Sequence, residues 1–263
     1  MKQYQLKIFE TNINDGIMHQ GKKFYPKEYT EEDVKKEFLN TRTKLGKKHN
    51  FDGRKILQPK QKDVEFVEEY PDGKYIKIND QYLHEEDLWQ VSIPSDILMI
   101  DTNYPNIVIG HRHADCPIII AEDRKNQIAA VAHCGARQIN REVPKYIIEA
   151  LEKEVQSNPS DIYVYVGTCI KKESYIYDCY PMWATNTKVW KNCIEKIDDK
   201  YHIDLIHAIK LQLLKKMIPE NNINISPYDT YKDKDYYSHT SAVKNDIKKT
   251  GQNFVGCFYQ EKE

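Results

Sequence analysis

The chain has 263 residues and sets 39 Lys and Arg against 40 Asp and Glu, a formal net charge of −1 with histidine neutral. Charges this balanced create no global field that would draw the protein to nucleic acid or to an anionic membrane, so neither is an expected partner. No apolar run approaches the roughly 20 residues of a membrane span, and residues 1–6 lack the apolar core of a secretory signal. Six cysteines without a CxxC pair read as free thiols, and a cytoplasmic protein is the expectation. The length suits one domain over residues 1–263.

Residues 5–9 alternate as a half-buried strand does, and a Gly-, His- and Lys-rich loop follows over 15–23. Thr30 with Asp33 three residues on has the form of a capping box. It opens a charged helix to Lys47 with Val34, Phe38, Thr41 and Leu45 on the inner stripe. Short strands are predicted at 55–57, 64–67, 75–78, 97–100 and 107–109, with Asp72-Gly73 as a hairpin turn. Residues 118–121 and 128–132 are continuous apolar runs around a polar turn, the pattern of central strands buried on both faces. Pro144 fits the first turn of a helix that carries Ile147, Ile148, Leu151 and Val155 inward. Residues 161–167 read as a further buried strand, and 200–217 as a second long helix stopped near Pro219. Residues 253–259 read as a closing strand. Strands outnumber helices in the first half, so the predicted class is mixed α/β, a mixed sheet with flanking helices.

The chemistry concentrates between residues 113 and 137. His113-Ala114-Asp115-Cys116-Pro117 leads into one apolar run, and His133-Cys134-Gly135-Ala136-Arg137 ends the other. A thiol and an imidazole at the ends of two adjacent hydrophobic segments suit either a zinc site or a Cys/His hydrolase, so Cys116 and His133 are the candidate catalytic residues. Arg137 carries a permanent, forked charge suited to phosphate or ribose oxygens, and Gly135 lets the backbone approach a ligand. Asp115 reads as a substrate contact or as a turn-stabilising residue. His84-Glu85-Glu86-Asp87 reads as a solvated turn or helix start, and Cys134, Cys169, Cys179, Cys193 and Cys257 read as structural. The run over 228–239 reads as a solvated loop or a pocket wall, with Tyr231, Tyr236 and Tyr237 stacking a flat ligand or covering the core.

Ala114-Asp115-Cys116-Pro117 and His133-Cys134-Gly135-Ala136-Arg137 resemble the Ala-Asp-Cys-x-Pro and His-Ala-Gly-Trp-Arg motifs of the YfiH or laccase-domain family, also called multicopper polyphenol oxidase-like. Weaker echoes lie at Asn40-Thr41-Arg42, at 166–170, at 236–240 and at Gly251-Gln252. The resemblance implies a YfiH-like mixed α/β fold, similar to that of cytotoxic necrotizing factor toxins, with the Cys and His in a surface pocket. It also implies a His, Cys, His zinc site and purine nucleoside phosphorylase activity on adenosine, inosine, guanosine or methylthioadenosine, with phosphate as co-substrate, or adenosine deamination. The chain departs from the pattern at two places. Ala136 replaces the motif's Trp, and Lys60 in Gln58-Pro59-Lys60-Gln61 stands where the family has its first zinc histidine, a shifted match offering Asp63 instead. Lysine is a poor zinc ligand because its ammonium must first lose a proton, so Lys60 becomes a candidate substrate-binding cation. His113 or His111, just ahead of Cys116, then becomes the candidate third metal ligand beside Cys116 and His133. Three functions follow: a zinc-dependent purine nucleoside enzyme; a metal-free Cys/His amidohydrolase or deamidase, peptidoglycan-precursor editing included; and an inactive nucleotide-binding protein.

Overall fold

The computed structural model describes residues 3–59, 75–84, 88–91, 95–247 and 251–262. Lys60, Asp63, the strand expected at 64–67, the Asp72-Gly73 turn and residues 85–87 lie outside the described residues. Strand β1 (Tyr4–Glu10) leads through short 3-10 turns to helix α1 (Glu31–His49). The capping box forms as predicted: Thr30 Oγ1 accepts from the Asp33 N–H at 3.1 Å and Asp33 Oδ2 accepts from the Thr30 N–H at 2.8 Å. Acidic residues fill the first turn of α1 and basic ones the last, complementing the helix dipole. Val34, Phe38, Thr41 and Leu45 form its buried stripe.

Strands β2 (Lys55–Pro59), β3 (Tyr75–Lys77), β4 (Leu88–Val91), β5 (Ile97–Asp101) and β6 (Val108–His113) follow. β7 (Ile118–Asp123) and β8 (Ile128–His133) are the two apolar runs, paired antiparallel. After them come α2 (Ala136–Asn140), α3 (Val143–Val155), β9 (Ile162–Val166), β10 (Ile176–Tyr177), α4 (Thr187–Trp190), β11 (Ile194–Ile197) and β12 (Lys200–Ile203). Then α5 (Leu205–Lys215), β13 (Ile223–Ile225), α6 (His239–Lys244) and β14 (Asn253–Glu261) complete the series.

Among the described residues these strands form a five-stranded sheet in the order β1-β14-β6-β2-β4, a six-stranded sheet in the order β13-β9-β7-β8-β5-β3, and a small sheet β10-β12-β11. Both larger sheets mix parallel and antiparallel pairs, as the mixed α/β reading expects. Three cores stack through the molecule. One joins α1 to the five-stranded sheet through Phe38, Leu45, Val108, Phe254 and Phe258. A second lies between the sheets, with Ile109, Val255 and Cys257 facing Leu98, Ile118, Ile120 and Val131. A third joins the six-stranded sheet to α3 and α5 through Ile119, Ala130, Ile148, Leu151, Ile209 and Leu213. β7 and β8 therefore send successive side chains into two different cores, which is why their sequences are apolar without interruption.

Arg42, part of the weaker family echo in the first helix, is a buried core residue. Its guanidinium donates to the carbonyls of Gly53 at 2.8 Å, Arg54 at 2.6 Å and Leu88, and lies 5.2 Å from the centre of the Trp89 ring. It ties α1 to the strands beneath it.

The helix predicted over 200–217 is shorter than expected. Residues 200–203 are β12, paired antiparallel with β11 across a two-residue turn at Asp198 and Asp199, whose φ values are 48 and 62. That left-handed pair is the turn geometry that closes a tight hairpin. The helix starts only at Leu205, where Asp204 Oδ1 accepts from the His207 N–H at 2.8 Å. Leu205, Ile209 and Leu213 point inward as expected.

Candidate functional site

β6 and β8 carry the site. On β6, Ile109 belongs to the core between the sheets and Val108 to the core beneath α1. The two-residue period then directs His111 and His113 between the sheets. On β8, Ala129 and Val131 face that same layer, and His133 continues their side. The apolar layer thus ends in histidines: the His111 and His133 rings meet with centroids 6.0 Å apart. His111 and His113, the candidate third ligands, both sit within strand β6.

Cys116 lies in the connection from β6 to β7, held from two sides. The Cys134 N–H donates to the Pro117 carbonyl at 2.9 Å, and the His133 N–H donates to the Asp96 carbonyl at 3.1 Å. Gly135 completes the cradle. A Cβ added to it would stand 2.9 Å from Cys116 Sγ and 3.3 Å from His133 Cε1, so the thiol and imidazole share one small space that only glycine leaves open.

Asp115 ties distant segments to the turn that it occupies. Its Oδ1 accepts from Thr230 Oγ1 at 2.7 Å, its Oδ2 accepts from the Thr240 N–H at 2.6 Å, and its carbonyl accepts from the Ile170 N–H at 3.0 Å. These bonds draw 166–170 and the Tyr-rich run, both segments of the weaker family echo, against the Asp115-Cys116 turn. Within that run Tyr231 packs on the core, Tyr228 and Tyr236 pair with rings 5.7 Å apart, and Tyr237 covers Gly251.

Burial sets the protonation of the site. It pushes the Cys116 thiol up to about 12, with the Asp115 carboxylate adding to the effect. It holds His133 down at about 4 and His113 at about 3, and His111 well below the usual imidazole range. His111 has both ring nitrogens buried without a hydrogen-bond partner, as is Nδ1 of His113. Neutral imidazoles with unused lone pairs beside a thiol match a metal's donor chemistry. Among the described residues, however, no three His, Cys, Asp or Glu side chains are grouped closely enough to hold an ion. Cys116 and His133 are thus the pair at hand, with His111 and His113 as their nearest imidazoles.

Sequence reading passed over Asp96. Its carbonyl anchors His133, its carboxyl accepts from Gln138 Nε2 at 3.5 Å, and burial lifts that carboxyl to about 6. Its position just ahead of an apolar strand is no signal of such a role. Arg137 is exposed in the short α2 and lines a neighbouring cleft with Arg141, Tyr177 and Trp183. All six cysteines are unpaired. Cys134, Cys169, Cys193 and Cys257 are buried as structural thiols should be, whereas Cys179 is exposed on that cleft, because it follows the edge strand β10.

Residues 31–257 match the family model for multi-copper polyphenol oxidoreductase laccase. The chain is 27% identical over 165 residues to purine nucleoside phosphorylase YlmD of Bacillus subtilis, and 23% identical over 163 residues to a purine nucleoside phosphorylase of Bacteroides thetaiotaomicron. Each match spans 60% of this chain, and covers 57% of the first relative and 60% of the second. The crystal structure of YlmD from Geobacillus stearothermophilus superposes with a TM-score of 0.69 at 19% identity, over 87% of this chain and 81% of that one. Bacillus licheniformis YfiH gives 0.67 at 18% identity, over 85% and 81%. The mixed α/β architecture is the fold of these proteins.

Proposed function

Because the chain belongs to the multi-copper polyphenol oxidoreductase laccase family, we propose that it is an enzyme of purine nucleosides, cleaving them with phosphate at the Cys116-His133 site. The observation that carries the reading is the shared space of the Cys116 thiol and the His133 ring at Gly135, built from the two motifs. The names of the two curated relatives support the substrate class. In phosphorolysis a phosphate oxygen forms a bond to ribose C1′, the bond from C1′ to the base nitrogen breaks, and the base leaves with the electron pair and takes up a proton. Arg137, with its forked guanidinium, is the group to hold the phosphate oxygens. Asp115 serves by fixing the turn that presents Cys116.

Cys116 and His133 are the two ligands at hand for a zinc ion, and since no three such side chains are grouped among the described residues, His113 or His111 would have to move into reach as the third. Bound there, zinc would supply a Lewis acid and lower the pKa of a bound water. The state of the thiol favours this reading over a metal-free Cys/His hydrolase. A free thiolate is the form that burial here disfavours, although neutral His133 is left as a base for the thiol proton. A dipositive ion would favour the thiolate instead.

The test is zinc content together with phosphate-dependent release of base from adenosine and inosine. Ribose 1-phosphate marks phosphorolysis; ammonia with inosine marks deamination. About one zinc per chain is expected, and Cys116→Ala and His133→Ala should each lower turnover at least ~100-fold in folded protein. Full activity in either variant, or no nucleoside turnover by zinc-loaded protein, overturns the reading.

A further inference from the structure

Beside the Cys116-His133 centre lies a cleft of about 530 Å³, a volume suited to a small organic ligand. Its floor is α2, which places Arg137 and Arg141 one helical turn apart. Like charges at this spacing repel. Neither arginine has an acidic side chain within ion-pair distance among the described residues and no aspartate or glutamate lines the cleft, Asp96 acting on Arg141 only from beyond that distance. Arg141 Nη1 is, in addition, buried without a hydrogen-bond acceptor. A desolvated guanidinium nitrogen left unbonded is costly, and an incoming anion would remove that cost.

The opposite wall is aromatic. Tyr177 and Trp183 line it, edge to face at 6.2 Å, and Trp183 is braced from behind by the buried Trp190 at 5.1 Å. Trp190 is fixed in turn by Asn140, whose Oδ1 accepts from its Nε1–H at 2.9 Å. The floor and the wall are therefore one rigid unit, a pair of cations facing preset rings. Rings of this kind present faces and edges to a planar base, and paired guanidiniums fork onto phosphate oxygens.

We propose that this cleft is a binding site for a nucleoside monophosphate, its phosphate on Arg137 and Arg141 and its base against Trp183 and Tyr177. The site goes beyond the nucleoside reading given above: it shares Arg137 with that reading, but binding here needs neither Cys116 nor turnover.

Isothermal titration of the full chain with adenosine 5′-monophosphate, adenosine and inorganic phosphate tests it. Saturable binding of the nucleotide is expected, at least ~10-fold tighter than either part alone, a ratio equal to about 1.4 kcal/mol. Arg141→Gln should weaken nucleotide binding at least ~10-fold, and Arg141→Lys should recover only part of it, since lysine lacks the planar fork. Trp183→Leu should weaken the nucleotide and leave phosphate unaffected, with circular dichroism confirming that each variant is folded. No saturable nucleotide binding, equal affinity for nucleotide and phosphate, or undiminished binding by folded Arg141→Gln overturns the proposal. Nucleotide binding retained in Cys116→Ala, or in a protein that turns over no nucleoside, upholds the cleft while the nucleoside reading fails on its own test.

Discussion

The Cys116 thiol and the His133 ring close on one point, the place a Cβ on Gly135 would occupy, 2.9 Å from Sγ and 3.3 Å from Cε1. Gly135 has φ −62, a backbone that any residue adopts, so glycine is required there by space and not by conformation. Gly135→Ala should therefore cost about 1–3 kcal/mol of stability through overpacking. Turnover should fall at least ~10-fold, because the thiol and imidazole are pushed off their positions. Thermal melts and nucleoside assays on the same preparation check this. Unchanged activity would mean that the reacting groups do not depend on this space.

Asp115 gives a second prediction. Its two carboxylate oxygens each accept a hydrogen bond from a segment more than a hundred residues away, and its φ of 89 is a conformation few side chains tolerate. Asparagine tolerates that backbone but must place its oxygen on the Thr240 N–H and its N–H on the Thr230 hydroxyl, exchanging two charge-assisted bonds for neutral ones. Asp115→Asn should lower stability by about 1–3 kcal/mol, and Asp115→Ala should lower it further. Urea denaturation midpoints decide. A loss below about 0.5 kcal/mol for both would show that the tie holds nothing together.

What was legible in the sequence follows the range of the interaction. The capping box at Thr30 and Asp33, the stripe at Val34, Phe38, Thr41 and Leu45, and the apolar runs of β7 and β8 are local signals, and each names its own environment. The splitting of the strands into two facing sheets is not local. It rests on β14 pairing with β1 at the other end of the chain and with β6, which no periodicity encodes. That Cys116 and His133 come together follows from motifs that sit on one hairpin, whereas the His111-His133 contact needs two strands from different sheets to meet. Arg141 was overlooked because its meaning depends on Trp183, about forty residues away, folding over it. Residues 200–203 were mistaken for helix because the apolar spacing of Leu205, Ile209 and Leu213 was extended backward past the Asp198-Asp199 turn.

Arg112 is a buried cation with no counterion among the described residues. It is 6% exposed, burial lowers it to about 10, and its Nε has no acceptor. Its contact with an aromatic ring is to Trp89, at 6.0 Å. Such a charge is costly, and methionine of similar reach can fill the same volume. Arg112→Met should raise stability by about 1–3 kcal/mol, or several degrees in Tm for a chain this size. A loss of more than about 1 kcal/mol would show that the guanidinium is satisfied in solution by an acceptor and contributes to the fold.

The buried imidazoles set the acid limit of the metal-stripped protein. Burial holds His19 and His113 at about 3, His133 at about 4 and His111 well below its ordinary value, against 6.5 for an unhindered histidine. Between pH 6.5 and about 4 the unfolded chain takes up protons that the folded chain refuses, so stability falls as pH falls through that window. Asp96, lifted to about 6, and Glu122, also raised, act in the opposite sense: their neutral forms favour the fold as pH drops. Five histidines, His49 being lowered as well, against two carboxyls leave the histidines dominant. In chelator-treated protein the unfolding free energy should drop by at least about 2 kcal/mol from pH 7 to pH 5. Zinc should stabilise the fold more at pH 7 than at pH 5, because binding releases the Cys116 thiol proton, so added zinc should steepen the drop. Urea melts at the two pH values, with and without added zinc, measure both terms, and a stability that is flat or rising toward pH 5 in the stripped protein would show that these rings take up protons inside the fold.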